Sequence, residues 1–257
     1  MKHPAIILAT HTWLEAWNAR LPSMLVVLVA LGAGLQWFVN AVTMIEHTDA
    51  ALAIAAPVLR LGVIIMLAAM ITSQIGREFG ERRIEMLLAA PISRLTWVLG
   101  RFLGAAMISA ACAISAGAAL AWQAPPAAVA AWTFTFWLEL LLVGTLAITV
   151  TVALKRPAMS LLAVMLLYVA GRVIAVIDRL AQSGISELAS GGMAEVLTGL
   201  LARLLPQTAL FAPTNWLLTA ELPAAMGWGI AQAAGQCAIY FVLLLLVCQL
   251  DLSNDLD

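Results

Sequence analysis

Six intervals of this chain, Leu21 to Ile45, Leu61 to Gly76, Phe102 to Leu138, Leu140 to Leu154, Pro157 to Gly171 and Leu222 to Leu250, contain no Asp, Glu, Lys or Arg. Several are long enough to cross the hydrocarbon core of a bilayer as a helix, which takes about 20 apolar residues. No water reaches that core, so a spanning segment must satisfy its own backbone, and continuous runs of this length fit a helix. A soluble domain is excluded. Of the 257 residues, 63% are hydrophobic and 11% charged, with a mean hydropathy of +1.00, against about 45–50% and about 25% in a soluble domain. With 13 basic and 14 acidic residues, the chain has neither a basic face for nucleic acid nor an acidic tail. No nucleic-acid partner is expected.

The pattern predicts an all-α integral membrane protein, a single transmembrane domain over 1–257 with six spans at about 22–39, 53–75, 96–121, 129–154, 158–177 and 225–250. Before the first span, Ile7, Leu14 and Trp17 recur at helical spacing beside Lys2, His11, Glu15 and Arg20. This is the pattern of an amphipathic helix lying on the membrane surface, with Trp13 and Trp17 at headgroup level. The apolar stretch Pro4 to Leu8 is too short for a cleavable signal, so the N-terminus is expected to stay. The polar run Glu46 to Asp49 is expected to turn the chain after span one. Spans three and four are joined at Gln123-Ala124-Pro125-Pro126, and spans four and five at Lys155-Arg156-Pro157.

Between spans five and six, Val196, Leu197, Leu200, Leu201, Leu204 and Leu205 lie opposite Glu195, Thr198 and Arg203. That predicts a second interfacial helix over 193–205 rather than a seventh span. Lys2, Arg20, Arg77, Arg82, Arg83, Arg94, Arg101, Lys155 and Arg156 fall on one side, leaving Arg60, Arg172, Arg179 and Arg203. Nine against four, 13 in all, places both termini in the cytoplasm by the positive-inside rule.

The most charged segment follows span two. Over Gly76 to Arg94, Arg77/Glu81 and Glu78/Arg82 stand at i,i+4 on a wet face opposite Ile84, Leu87 and Leu88, and Pro91 closes the run. This reads as a short water-exposed helix. On pattern alone it is either a docking element or a solvated loop.

The run Arg77-Glu78-Phe79-Gly80-Glu81-Arg82-Arg83-Ile84-Glu85-Met86-Leu87-Leu88-Ala89-Ala90-Pro91-Ile92-Ser93-Arg94, followed by Leu99-Gly100-Arg101-Phe102-Leu103-Gly104, resembles the first cytoplasmic loop and third-span entry of type-2 ATP-binding-cassette exporter permeases. The similarity continues in Trp137-Leu138-Glu139-Leu140-Leu141-Leu142, in Leu167-Tyr168-Val169-Ala170-Gly171-Arg172, and in Leu204-Leu205-Pro206-Gln207-Thr208-Ala209-Leu210-Phe211. Four separated segments in matching order cover most of the chain. The sequence departs from the pattern at Arg172, where relatives more often carry His or another polar residue.

The resemblance implies a bacterial inner-membrane permease with six spans, an amphipathic N-terminal helix and a cytoplasmic coupling helix after span two. That helix would dock on a separate nucleotide-binding ATPase through Glu78, Glu81, Arg82, Arg83 and Glu85. A second permease copy, identical or similar, would complete the pathway. The chain has no GxxxxGK[ST] loop to cradle phosphates, so ATP and Mg belong to the partner and no cofactor is expected here.

Three charges fall inside spans. Glu139 precedes the Lys155-Arg156 turn by about 16 residues and Arg172 follows it by about 16, so both lie roughly 24 Å from that end at 1.5 Å per residue. Arg60 stands at nearly the same height on span two. A charge in hydrocarbon costs roughly 2.5–3.5 kcal/mol on insertion scales, so a pair of Glu139 with Arg172 or with Arg60 is predicted. It either lines a substrate route or pins adjacent spans.

Gly100 and Gly104, continued by Ser109, Ala113, Gly117 and Ala121, make a small-residue face on span three where another helix, of this chain or a second subunit, can approach closely. Met66 and Met70 read as packing filler. His3, His11 and His47 converge on no ligand spacing, and Cys112, Cys237 and Cys248 form no CxxC pair, so no metal site is expected. The spans hold few polar residues, which leans towards an amphipathic or lipidic cargo.

Two other classes stay open. An integral-membrane enzyme acting on a lipid would use Glu139 or Asp178 as acid or base, although no nucleophile, base and orienting group stand at recognisable spacing. A membrane assembly factor without transport is the other.

Overall fold

The computed structural model describes residues 4–42, 47–80, 94–182, 211, 214–218 and 226–254. Among them all regular structure is helical: α1 (Pro4–Asn18), α2 (Leu21–Val42), α3 (His47–Gly80), α4 (Arg94–Leu120), α5 (Pro126–Leu154), α6 (Pro157–Gln182), α7 (Asn215–Leu218) and α8 (Met226–Asn254). Six of these, α2 to α6 and α8, are long and apolar enough to cross a membrane. Their bounds agree with the six predicted spans to within a few residues, except that α3 extends well beyond both ends of its span. The chain is a multi-pass α-helical membrane protein.

Burial sorts the spans. α5 is the centre: 67% of its most apolar window is buried, against 22% for α2 and 11% for α8. It packs against α3, α4, α6, α7 and α8. The outer helices turn large apolar residues away from the protein, among them Val26, Leu31 and Trp37 on α2, Leu162 and Leu166 on α6, and Trp228 and Leu250 on α8. An apolar surface of this extent belongs in lipid. The core along α5 is built from Trp132, Phe136, Leu140, Val143, Ala147 and Ile148 against Val63, Ile64, Leu67 and Ile71 of α3 and Ile108 and Cys112 of α4. A smaller cluster of Leu138, Leu142, Phe211, Ala233 and Cys237 attaches α8 to α5.

Two tight turns join helices at one end of the bundle. Arg20, with φ 75°, and Lys155, with φ 55°, take the left-handed conformation between α1 and α2 and between α5 and α6. The Lys155 amide donates to the Thr151 carbonyl, closing α5, and Pro157 then starts α6 at a position where a missing N–H costs nothing. Gly76 of α3 lies directly under Pro157, so a side chain there would collide with the ring.

Two expectations change. The chain does not turn at 47–49, because α3 already begins at His47. Residues 76–80 are not part of a separate short helix but the last turn of α3. On α1 the buried residues are Ala5, Ala9, Thr12 and Ala16, while Ile7, Leu14 and Trp17 are exposed. Its small face therefore packs on protein and its large apolar residues face outward. The predicted interfacial helix at 193–205 lies outside the described residues.

The glycine face of α4 is occupied by α1. A Cβ on Gly100 would meet Leu8, and one on Gly104 would meet Thr12 within 2.5 Å. Farther along, Gly117 faces Thr133 of α5. All three are contacts within the chain, whereas a Cβ on Gly62 would meet nothing within 4 Å. Gly104→Leu should therefore destabilise the fold by about 1–3 kcal/mol through overpacking, and Gly62→Ala should stabilise it by about 0.5–1 kcal/mol through helix propensity. Thermal unfolding in detergent checks both, and equal effects at the two positions would contradict the packing described.

Candidate functional site

Buried charge in the described residues gathers at two levels of the bundle. At the first, Arg60 of α3 and Glu139 of α5 meet in the core, with Arg60 Nη2 2.5 Å from Glu139 Oε1. Both are almost fully buried, 4% and 1% exposed. The Tyr168 hydroxyl of α6 donates to the same oxygen at 3.0 Å. One carboxylate thus collects a guanidinium and a phenol from the two helices flanking α5.

Such a pair persists in an apolar interior only when the geometry is close and further hydrogen bonds support it, since desolvating two ions offsets most of their attraction. The predicted partnership with Arg60 is present. Arg172 lies one turn beyond Tyr168 on α6, half-buried. Tyr168 was not singled out by sequence reasoning. Two signals pointed to it: it is one of only two tyrosines, and it stands four residues before Arg172 on the same helix face.

The second level lies at the end of the bundle that carries α1. Glu78, in the last turn of α3, is 5% exposed, and its carboxylate forms an ion pair with Arg101 of α4. It was expected on a wet face as a contact for a partner ATPase. It is instead engaged within the chain, because α3 continues through Gly80 and turns this position towards α4. Arg101 also donates to Thr12 Oγ1 of α1 at 2.8 Å and reaches Glu15 Oε2 at 3.5 Å. Its guanidinium stands 5.9 Å from the ring centre of Trp97, one turn back on its own helix. A cavity of about 10 Å³ beside it, lined by Thr12, Gln74, Ile75 and Arg101 among others, is at the lower limit for one water. The Glu78–Arg101 pair is buried, whereas Glu15 is partly open to solvent.

The remaining candidates, Glu81, Arg82, Arg83 and Glu85, lie outside the described residues. The sequence places Arg101 among the basic residues of one membrane side and within the Gly100 to Gly104 entry, but gives it no partner. The signal that could have raised it is its position between Gly100 and Gly104, where no side chain on α4 separates the guanidinium from an approaching helix.

At the opposite end, Gln36 of α2 donates from Nε2 to the Ala119 carbonyl of α4 and accepts from Trp122 Nε1, both at 2.8 Å. This ties spans one and three where they leave the core. The cysteines Cys112, Cys237 and Cys248 are buried and unbridged. Among the described residues, no group of three or more His, Cys, Asp or Glu side chains could hold a metal ion.

No family model matches the sequence, and no curated protein matches it either. The class the fold defines, a multi-pass helical membrane protein, rests on the spans themselves.

If the Arg60–Glu139 pair pins α3 to α5, removing one partner strands a buried charge. Glu139→Met is expected to cost about 3–5 kcal/mol, and the double variant Arg60→Met with Glu139→Met to recover most or all of it. Unfolding in detergent reads both. A double variant as unstable as the single one would show that the pair is not what holds these helices.

Proposed function

We propose that this chain is the membrane-spanning permease subunit of an ATP-binding-cassette exporter, working as a pair of permeases with two separate ATPase subunits in a bacterial inner membrane. One observation carries the reading. The two halves of the sequence resemblance, the charged run from Arg77 to Arg94 and the Gly100 to Gly104 entry, are joined in the fold by the buried Glu78–Arg101 pair. The end of the charged run and the glycine entry therefore meet in the fold, which supports reading them together.

In this reading both termini and the segment after Gly80 face the cytoplasm. Glu81, Arg82, Arg83 and Glu85, which lie outside the described residues, are the side chains assigned to the contact with the ATPase. α1 is the amphipathic helix at the membrane surface, its small face on α4 and its large apolar residues directed to lipid. ATP and Mg stay on the partner, and the permease contributes alternating access.

A lipid-acting enzyme is less well supported, because Glu139, one of its two candidate acids, is 1% exposed and already holds Arg60 and Tyr168. A non-transporting assembly factor has no feature of the described bundle in its favour.

The expected consequence is specific to the loop. In the complex reconstituted in vesicles, Glu81→Lys combined with Glu85→Lys should reverse two charges at the docking surface and abolish stimulation of the ATPase by the permease. The melting temperature of the permease should not change. Undiminished stimulation in this double variant would contradict the assignment.

A further inference from the structure

The geometry points to Arg101 as a positioning residue that makes the end of α3 and the N-terminal helix α1 move as one body, so that a load applied beyond Gly80 reaches α1. This rests on the permease reading for its purpose, although the clamp itself does not depend on it.

Three observations converge on this one side chain. First, the partners of Arg101 come from both neighbours: Glu78 of α3 by an ion pair, and Thr12 and Glu15 of α1 by a hydrogen bond and a longer charged contact. Glu78 is two residues from the last described residue of α3, so it is the nearest anchored charge to the segment that follows. Second, the direction of each bond is fixed. The Thr12 hydroxyl donates its only proton to the Leu8 carbonyl of its own helix at 3.0 Å, which leaves its lone pairs for the guanidinium. Thr12 therefore accepts and Arg101 donates.

Third, the surroundings leave the clamp little slack. Gly100 and Gly104 flank Arg101 and bring Leu8 and Thr12 against the backbone of α4. Trp97 braces the guanidinium from behind. A planar fork with five donors can hold a carboxylate and a second helix at once, which an ammonium point charge cannot do in one geometry.

Backbone hydrogen exchange tests this on the full chain in lipid nanodiscs. Arg101→Met should accelerate exchange of the α1 amides at least tenfold while leaving α5 at the wild-type rate. Glu78→Gln, a change on a helix that reaches α1 through Arg101, should accelerate the same α1 amides. Combining the two should add nothing further, because both remove one linkage. Arg101→Lys should restore protection only in part, and it provides the reading if Arg101→Met does not fold.

Wild-type α1 exchange in Glu78→Gln, or effects that simply add, would overturn the proposal. In the assembled complex, trapping the ATPase with ATP and vanadate should change α1 exchange in the wild type and not in Glu78→Gln. A change that persists in Glu78→Gln would also overturn it. If no ATPase assembles with the chain, the permease reading fails, and the clamp stands or falls on the exchange of the chain alone.

Discussion

The Arg60–Glu139 pair is the constraint on which the arrangement of the spans depends. A guanidinium cannot be left bare in hydrocarbon, and the partner it finds is on α5. That contact fixes α3 beside α5 at one height, and Tyr168 brings α6 to the same oxygen. With Glu139 paired to Arg60 and Tyr168 inside, most of α5 is buried against its neighbours. The helices at the outside, α2 packed on α3 and α4 and α8 packed on α5, face lipid with their large apolar side chains. The burial pattern follows from where the charge had to go.

α3 links this layer to the second one. Arg60 and Glu78 stand on the same continuous helix, 18 residues apart by number, which is about 27 Å at 1.5 Å per residue. The face between them, Val63, Ile64, Leu67, Ala68 and Ile71, is packed and dry. Protein interiors of this kind are close-packed and transmit displacement rather than absorb it. A helix held by an ion pair at each level can therefore pass a shift at one end towards the other, which is what a permease driven from the cytoplasm requires. The glycine face of α4 serves the same end, since only residues without a Cβ let α1 come close enough for Arg101 to reach Thr12.

The sequence made the spans legible because the bilayer imposes their length and apolarity residue by residue. It made the Arg60–Glu139 pair legible because counting from the ends places both at one height, and a charge at that height needs a partner. What it left open was rotational. Height does not say which face of a helix a residue occupies, so Arg60 and Arg172 competed equally for Glu139, and Tyr168 carried no charge to draw notice. Glu78 was misplaced for a related reason: the charged run looked uniformly wet, yet its first turn continues a span and inherits that span's inward face. The glycines of α4 announce a close approach but not the helix that makes it, because Ala5, Ala9 and Ala16 of α1 carry no signal of their own in the sequence.

Native mass spectrometry of the chain released from its own membranes in mild detergent tests the central claim most directly. The permease reading predicts an assembly with two copies of this 27.2 kDa chain, or one copy and a similar permease, together with two copies of an ATPase that binds ATP. A chain that emerges repeatedly alone, or only with proteins that bind no nucleotide, would contradict it.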